Sequence, residues 1–198
     1  MENNIDKISK KFGRKTILLP ENLSADCYAI YSKKEFESVE EKLLVENKAY
    51  KHRLYFYKKT GNNSSNKVLS FIFLTAGEIN HKDPNPIVDM CVNLAKNDYS
   101  AIEILSVFTL RTLDTIDAIS EDSILDVSRI DFSKNDIVLA YGDKILPTSK
   151  YENISEQDLE KINKVMFIKI NQLMEILSDK SQKIFKLSND KLELYNVV

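Results

Sequence analysis

The hydrophobic positions between Val68 and Ala140 form three short apolar runs, and polar or turn-forming residues follow each of them. The runs are VLSFIFL from Val68, IEILSVF from Ile102 and IVLA from Ile137. Unbroken runs of β-branched and large apolar residues are typical of strands that helices cover on both faces. The pattern predicts an α/β fold, a three-layer sandwich with a mostly parallel central sheet.

The positions around these runs predict the remaining elements. The segment HRLYFYKK alternates apolar and polar positions, and a polar loop joins it to the first run, which predicts a β-hairpin. Pro86 favours the start of a helix of about 12 residues. Ser155, with Asp158 three residues later, predicts the start of the longest helix. The segment KIFKL from Lys183 is the last predicted strand, and a tail follows it.

Length and composition predict one domain. The chain has 198 residues, of which 43% are hydrophobic, so it can bury one sizeable core. We expect a single domain over residues 1–198, in which residues 1–50 form an N-terminal helical extension packed on the rest. No apolar run approaches the roughly 18 residues that span a bilayer, and the N-terminus is too polar for a secretion signal. The sequence therefore predicts a cytoplasmic protein with no membrane contact.

Charge and residue spacing argue against several function classes. With a net charge of −2, any contact with nucleic acid must be local. The four glycines are far apart, so neither a phosphate-binding glycine loop nor a dinucleotide fingerprint is present. Two histidines cannot build a His-rich metal cluster, and Cys27 and Cys91 are predicted to be buried apolar residues. We expect no cofactor and no metal site.

The segments that follow the apolar runs are the candidate functional positions, because ligands of open α/β sheets bind beyond the carboxyl ends of the strands. The first of these loops contains Glu78, His81 and Asp83, which form either a polar turn that caps the next helix or a site that orients water. Arg111 holds either a phosphate or the carboxylate of Asp114. The remaining histidine, His52, precedes a strand and is predicted to lie at the surface or at a sheet edge.

Five segments of the chain follow one another in the order HRLYFYKK, FIFLTAGEINHKDPNPI, ILSVFTLRTLD, VLAYG and KLSNDKLELY. In this succession the chain resembles, over about residues 51–195, the bacterial family known as domain of unknown function 1643. The matching positions are Asp83-Pro84, Phe108, Arg111, Asp114, Ala140, Gly142 and Leu194-Tyr195, and Tyr141 replaces a tryptophan of the family pattern. More distantly, the layout resembles the uracil-DNA glycosylase superfamily, whose members take a flipped base into a pocket and read its edge.

Three departures from the family pattern fall at polar positions. This chain has Thr75-Ala76-Gly77 where the family has Asn-Pro-Ser. Ser106 replaces the asparagine of the family pattern, and Leu192-Glu193 replaces its His-Pro. Leu192 offers no donor to a departing anion, and a serine cannot make the paired hydrogen bonds of an amide. The resemblance nevertheless implies a ligand site, formed by Thr75, Gly77, Ser106, Phe108, Arg111, Tyr141 and Tyr195.

These observations predict a catalytically degenerate glycosylase-like protein that lacks uracil excision activity. Its pocket is expected to bind single- or double-stranded DNA, a nucleotide or a protein partner. A first alternative is an active nucleobase- or nucleotide-directed hydrolase in which Glu78, His81 and Asp83 supply acid and base groups. A second alternative is a module that binds only proteins.

Overall fold

The three apolar runs form strands inside one seven-stranded sheet. The structure is a computed structural model, and it describes residues 26–31, 52–77, 85–110, 135–140, 155–178, 183–188 and 191–195. Its strands are β1 Cys27–Tyr31, β2 Arg53–Lys59, β3 Val68–Thr75, β4 Ala101–Phe108, β5 Asp136–Leu139, β6 Ile184–Ser188 and β7 Lys191–Leu194, and its helices are α1 Pro86–Ala95 and α2 Glu156–Ser178. The predicted α/β class is confirmed.

The sheet is mixed, with its parallel pairings at the centre. The strand order is β1-β2-β4-β3-β5-β6-β7. Strand β3 runs parallel to β4 and β5, and β5 runs parallel to β6. The pairs β1 with β2, β2 with β4 and β6 with β7 are antiparallel. Among the described strands, the predicted parallel arrangement therefore holds only for the four central ones.

The predicted hairpin between β2 and β3 is wrong, because β4 lies between these two strands. The connection that leaves β2 passes the start of β4, where Thr60 N donates to Ser100 O at 2.9 Å and Ser100 N donates to Lys67 O at 2.9 Å. Strand β4 is buried along almost its whole length, so it needs a neighbour on each side. The polar loop is long enough to leave room for it.

Two strands lie where the sequence predicted none. Strand β1 falls within residues 1–50, which were predicted to be a helical extension, and it pairs with β2 from Cys27 to Tyr31. Strand β7 falls within the predicted tail and pairs with β6. Each is only four or five residues long, and a run of that length gives little periodicity to detect.

The core forms two clusters, one on each face of the sheet. Neighbouring residues of a strand point to opposite faces, and Phe71 and Ile72 of β3 accordingly belong to different clusters. Met166, Leu173 and Leu177 of α2 pack in the cluster that contains Ile72. The cluster that contains Phe71 packs against α1, through Val88, Cys91 and Ala95.

Helix α1 begins at Pro86, as predicted, and has ten residues. Its cap is Asn85, whose Oδ1 accepts hydrogen bonds from Ile87 N at 2.9 Å and Val88 N at 3.4 Å. An asparagine cap satisfies backbone donors that the first helical turn leaves unpaired. Neither α1 nor α2 is both long and apolar enough to cross a membrane.

Candidate functional site

The carboxyl ends of β3 and β4 bring four of the predicted site residues together. Thr75 is in register with Phe108, and Ala76 N donates to Phe108 O at 3.0 Å, which keeps the two chains together beyond the strands. Gly77 follows directly, and Ser106 lies two residues before the end of β4. We call this group, Thr75, Gly77, Ser106 and Phe108, the carboxyl edge.

The described residues leave open space beside Gly77 at the carboxyl edge. Its φ angle is +53°, in the left-handed region that glycine adopts at little cost. A Cβ atom built at this position would have no heavy atom of the described residues within 4 Å. Gly77 is itself partly exposed, so a ligand can reach it from the part of its surroundings that the structure describes.

Ser106 and Arg53 form a buried polar pair. Arg53 Nη2 donates to Ser106 Oγ at 3.1 Å, and each residue is only 1% exposed. A guanidinium group stays charged in proteins, so its burial requires hydrogen-bond acceptors around it. The Ser106 hydroxyl is one of these acceptors. The side chain predicted to contact a ligand is therefore engaged inside the protein.

A bulge in β2 turns Arg53 toward Ser106. Ile30 of β1 is in register with Tyr55, but the next residue, Tyr31, is in register with Arg53, so Leu54 is extra. An extra residue reverses the side-chain alternation of a strand. The alternation in HRLYFYKK would have placed Arg53 on the same face as Tyr55, and nothing in that segment indicates the bulge.

His52 is buried beside Arg53, so its predicted surface or edge position is wrong. It is 4% exposed, and its Nδ1 lies 3.1 Å from Thr109 Oγ1. The backbone holds this contact in place, because His52 forms a bridge with Leu110 and Arg53 N donates to Thr109 O at 2.9 Å. Sequence reasoning missed His52 and Arg53 because their burial depends on the pairing of β2 with β4.

The other described candidates differ in exposure and position. Phe108 is fully buried, and its ring packs in the core cluster of α2. Thr75 is half-buried. Tyr195 is 40% exposed and its N donates to Ile184 O at 2.8 Å, at the start of β6. Because β6 is parallel to β5 and β3, Tyr195 lies at the opposite end of the sheet from Thr75.

Five predicted site residues lie outside the described part of the chain, and their roles stay predictions. They are Glu78, His81, Asp83, Arg111 and Tyr141.

Both cysteines are neutral thiols at ordinary pH. Burial raises the pKa of Cys91 to about 12, and the nearby Arg53 charge opposes that shift only in part. Burial also raises the pKa of Cys27, which is half-buried, against an opposing effect of Lys58. A raised pKa disfavours the nucleophilic thiolate. The prediction of a buried apolar cysteine is therefore confirmed for Cys91.

A second polar group surrounds Glu103, near the amino ends of the parallel strands. Its carboxylate accepts hydrogen bonds from Tyr55 Oη at 2.6 Å, Ser70 Oγ at 2.9 Å and Asn135 Nδ2 at 2.8 Å. Burial, with the Glu103 charge as the next cause, raises the pKa of Tyr55 well above its ordinary value. These bonds link β4 to β2, β3 and the residue before β5, so the network joins strands of the sheet.

The described residues contain no group of three or more histidine, cysteine or acidic side chains that could hold a metal ion. No family model matches the chain, and no curated protein and no solved structure matches it either.

Proposed function

We propose that this chain is a catalytically degenerate, uracil-DNA glycosylase-like protein that lacks uracil excision and binds a nucleotide or single-stranded DNA at its carboxyl edge. The observation that carries the proposal is the buried bond from Arg53 to Ser106. Where the resemblance expects an amide that reads a base, this chain has a hydroxyl that already accepts a hydrogen bond from inside the core. In this proposal the sheet and its helices are the three-layer sandwich of that superfamily.

Loss of the base-reading group weakens recognition of uracil in particular. An unpaired polar atom in a buried complex costs about 1–3 kcal/mol, and reading a base edge requires two such pairings. A second loss lies at Leu192, which replaces the histidine of the family pattern and has no hydrogen-bond donor in its side chain. Both departures remove excision chemistry while leaving the scaffold of the carboxyl edge intact.

Two sources of positive potential support a phosphate-bearing ligand at the carboxyl edge. Arg53 places a charge behind Ser106. Helix α1 leads into β4 at the amino ends of the parallel strands, through Tyr99 and Ser100, so its N-terminus lies toward their carboxyl ends. The N-terminus of a helix carries a partial positive charge that favours anions.

Replacing Gly77 with leucine tests this location. We expect the side chain to enter the open space and lower the affinity for a labelled single-stranded oligonucleotide about tenfold, measured by fluorescence anisotropy at low salt. The matched control is Gly61→Leu, because Gly61 also has a positive φ angle, +88°, and a built Cβ there also has no heavy atom from the described part of the chain within 4 Å. Gly61 follows β2 at the amino ends of the parallel strands.

The control separates a blocked site from backbone strain. Both variants place a leucine in the left-handed region, which costs roughly 1–2 kcal/mol, so circular dichroism should show a similar loss of thermal stability in both. Affinity that falls only in Gly77→Leu supports the proposal. Equal affinity in the two variants would place the ligand elsewhere, and no measurable binding by the unaltered chain would contradict the binding role.

A further inference from the structure

Among the strands that the structure describes, β7 forms one edge of the sheet, and its residues are exposed. It is the last strand in the sheet order, and no described strand pairs with its outer side. Leu194 is 64% exposed, and Lys191 and Glu193 are exposed as well. An edge strand presents backbone donors and acceptors to which another strand can pair.

The backbone geometry shows which residues present these groups. Tyr195 N donates to Ile184 O at 2.8 Å, so Tyr195 and Ile184 form a hydrogen-bonded pair of the β6 and β7 ladder. In an antiparallel ladder, hydrogen-bonded pairs alternate with pairs whose backbone groups point away from each other. The N–H and C=O groups of Leu192 and Leu194 therefore point away from β6, toward the outer edge.

The charges on β7 favour pairing with a copy of itself. Lys191 and Glu193 lie two residues apart, so they share one face of the sheet, and Leu192 lies between them on the other face. If two β7 strands pair antiparallel with Leu192 opposite Leu192, each Lys191 lies opposite a Glu193. A lysine on an edge discourages most partner strands, but this spacing makes the edge complementary to itself.

The adjacent strand extends the same charge pattern. Lys186 of β6 is in register with Glu193 of β7. Across two paired copies the row would run Lys186, Glu193 and then Lys191 of the partner subunit, with alternating sign. A shift that placed Glu193 opposite Glu193 of the partner subunit would bring like charges together, which is unfavourable in directly opposed pairs.

We propose that this chain forms a symmetric dimer in which β7 pairs antiparallel with β7 of a second copy, with Leu192 at the two-fold axis. The two seven-stranded sheets become one continuous sheet. Because the strands run in opposite directions across the axis, the two carboxyl edges lie at opposite ends of the joined sheet. The dimer is independent of ligand binding at either edge.

Exchanging the two charges tests the dimer. Sedimentation equilibrium of the unaltered chain should show a concentration-dependent dimer that weakens as salt is raised. Lys191→Glu alone and Glu193→Lys alone should each shift the dissociation constant at least tenfold toward monomer, because each places like charges opposite one another. A mixture of these two variants should form a heterodimer, and the double exchange Lys191→Glu with Glu193→Lys should restore the dimer.

The control variant is Glu160→Lys, which makes the same charge change at an exposed position of α2 and should leave the dimer intact. Thermal melts check that each variant is folded. If Glu193→Lys destabilises β7, because it places a lysine opposite Lys186, the single variant Lys191→Glu still tests whether like charges at β7 weaken the dimer. A monomer at every concentration would overturn the proposal. So would a dimer that neither single exchange weakens, or single variants that do not recover on mixing.

Discussion

Replacing Arg53 with alanine is expected to lower the free energy of unfolding by about 3–5 kcal/mol. The substitution deletes one of the largest fully buried side chains, and because Arg53 is in register with Tyr31, the cavity lies on the face of the sheet whose core cluster includes Tyr31 and α1. It also removes the charged donor to Ser106 Oγ, so acceptors that the guanidinium satisfied inside the protein lose a partner. Urea denaturation followed by circular dichroism measures the change.

The matched variant for Arg53→Ala is Ser106→Ala, which removes one hydroxyl and leaves the guanidinium in place. We expect a loss of about 1.5–3 kcal/mol, the range for a hydrogen bond to a charged group. The double variant should lose less than the sum of the two single losses, since the two residues share one interaction. Losses below about 0.5 kcal/mol for Arg53→Ala, the range for surface substitutions, would contradict the buried position of this side chain.

Replacing Leu173 with alanine is the second large effect, with an expected loss of about 2–5 kcal/mol in the free energy of unfolding. Leu173 is fully buried in α2 and packs in the core cluster that contains Ile72. Truncation removes apolar contacts and leaves a cavity between the helix and the sheet, because close-packed interiors relax only in part. Thermal and urea melts both measure the loss.

Phe167→Ala is the control for Leu173→Ala, since it lies in the same helix with its side chain 62% exposed. It changes helix propensity slightly and deletes few contacts, so its effect should stay within about 0.5 kcal/mol. Equal losses in the two variants would contradict the orientation of α2 on the sheet. A loss confined to Leu173→Ala supports it.

The sequence predicted well what depends on local patterns. The apolar runs correctly predicted strands β3, β4 and β5, and the segment KIFKL predicted β6. The signals at Pro86 and Ser155 predicted where α1 and α2 begin. Each rests on interactions within a few residues: strand burial, proline geometry and helix capping. Such signals do not depend on which strands pair.

What the sequence did not predict depends on contacts between distant residues. The apolar pattern of β4 shows that it is buried, but its insertion between β2 and β3 is a choice of partner that no local signal reveals. The bulge at Leu54 lies in the pairing of β2 with β1, and no local signal in the sequence reveals it or the burial of His52 and Arg53.

The candidate site was predictable only where it follows from strand direction. Thr75, Gly77, Ser106 and Phe108 meet because β3 and β4 are parallel and end in register. Tyr195 was grouped with them through the resemblance, but the register of β7 on β6 places it at the other end of the sheet. A short edge strand can add to a sheet in either direction, and this choice decides where its last residue lies.

A single-turnover assay with the protein in large excess over labelled single- and double-stranded DNA containing uracil tests the central claim most directly. The account predicts no uracil excision above a protein-free control, together with binding of the single-stranded DNA. Excision that Glu78→Gln or Asp83→Asn abolishes would contradict it, and would show that the residues that follow β3 in the sequence supply the acid and base groups of an active hydrolase.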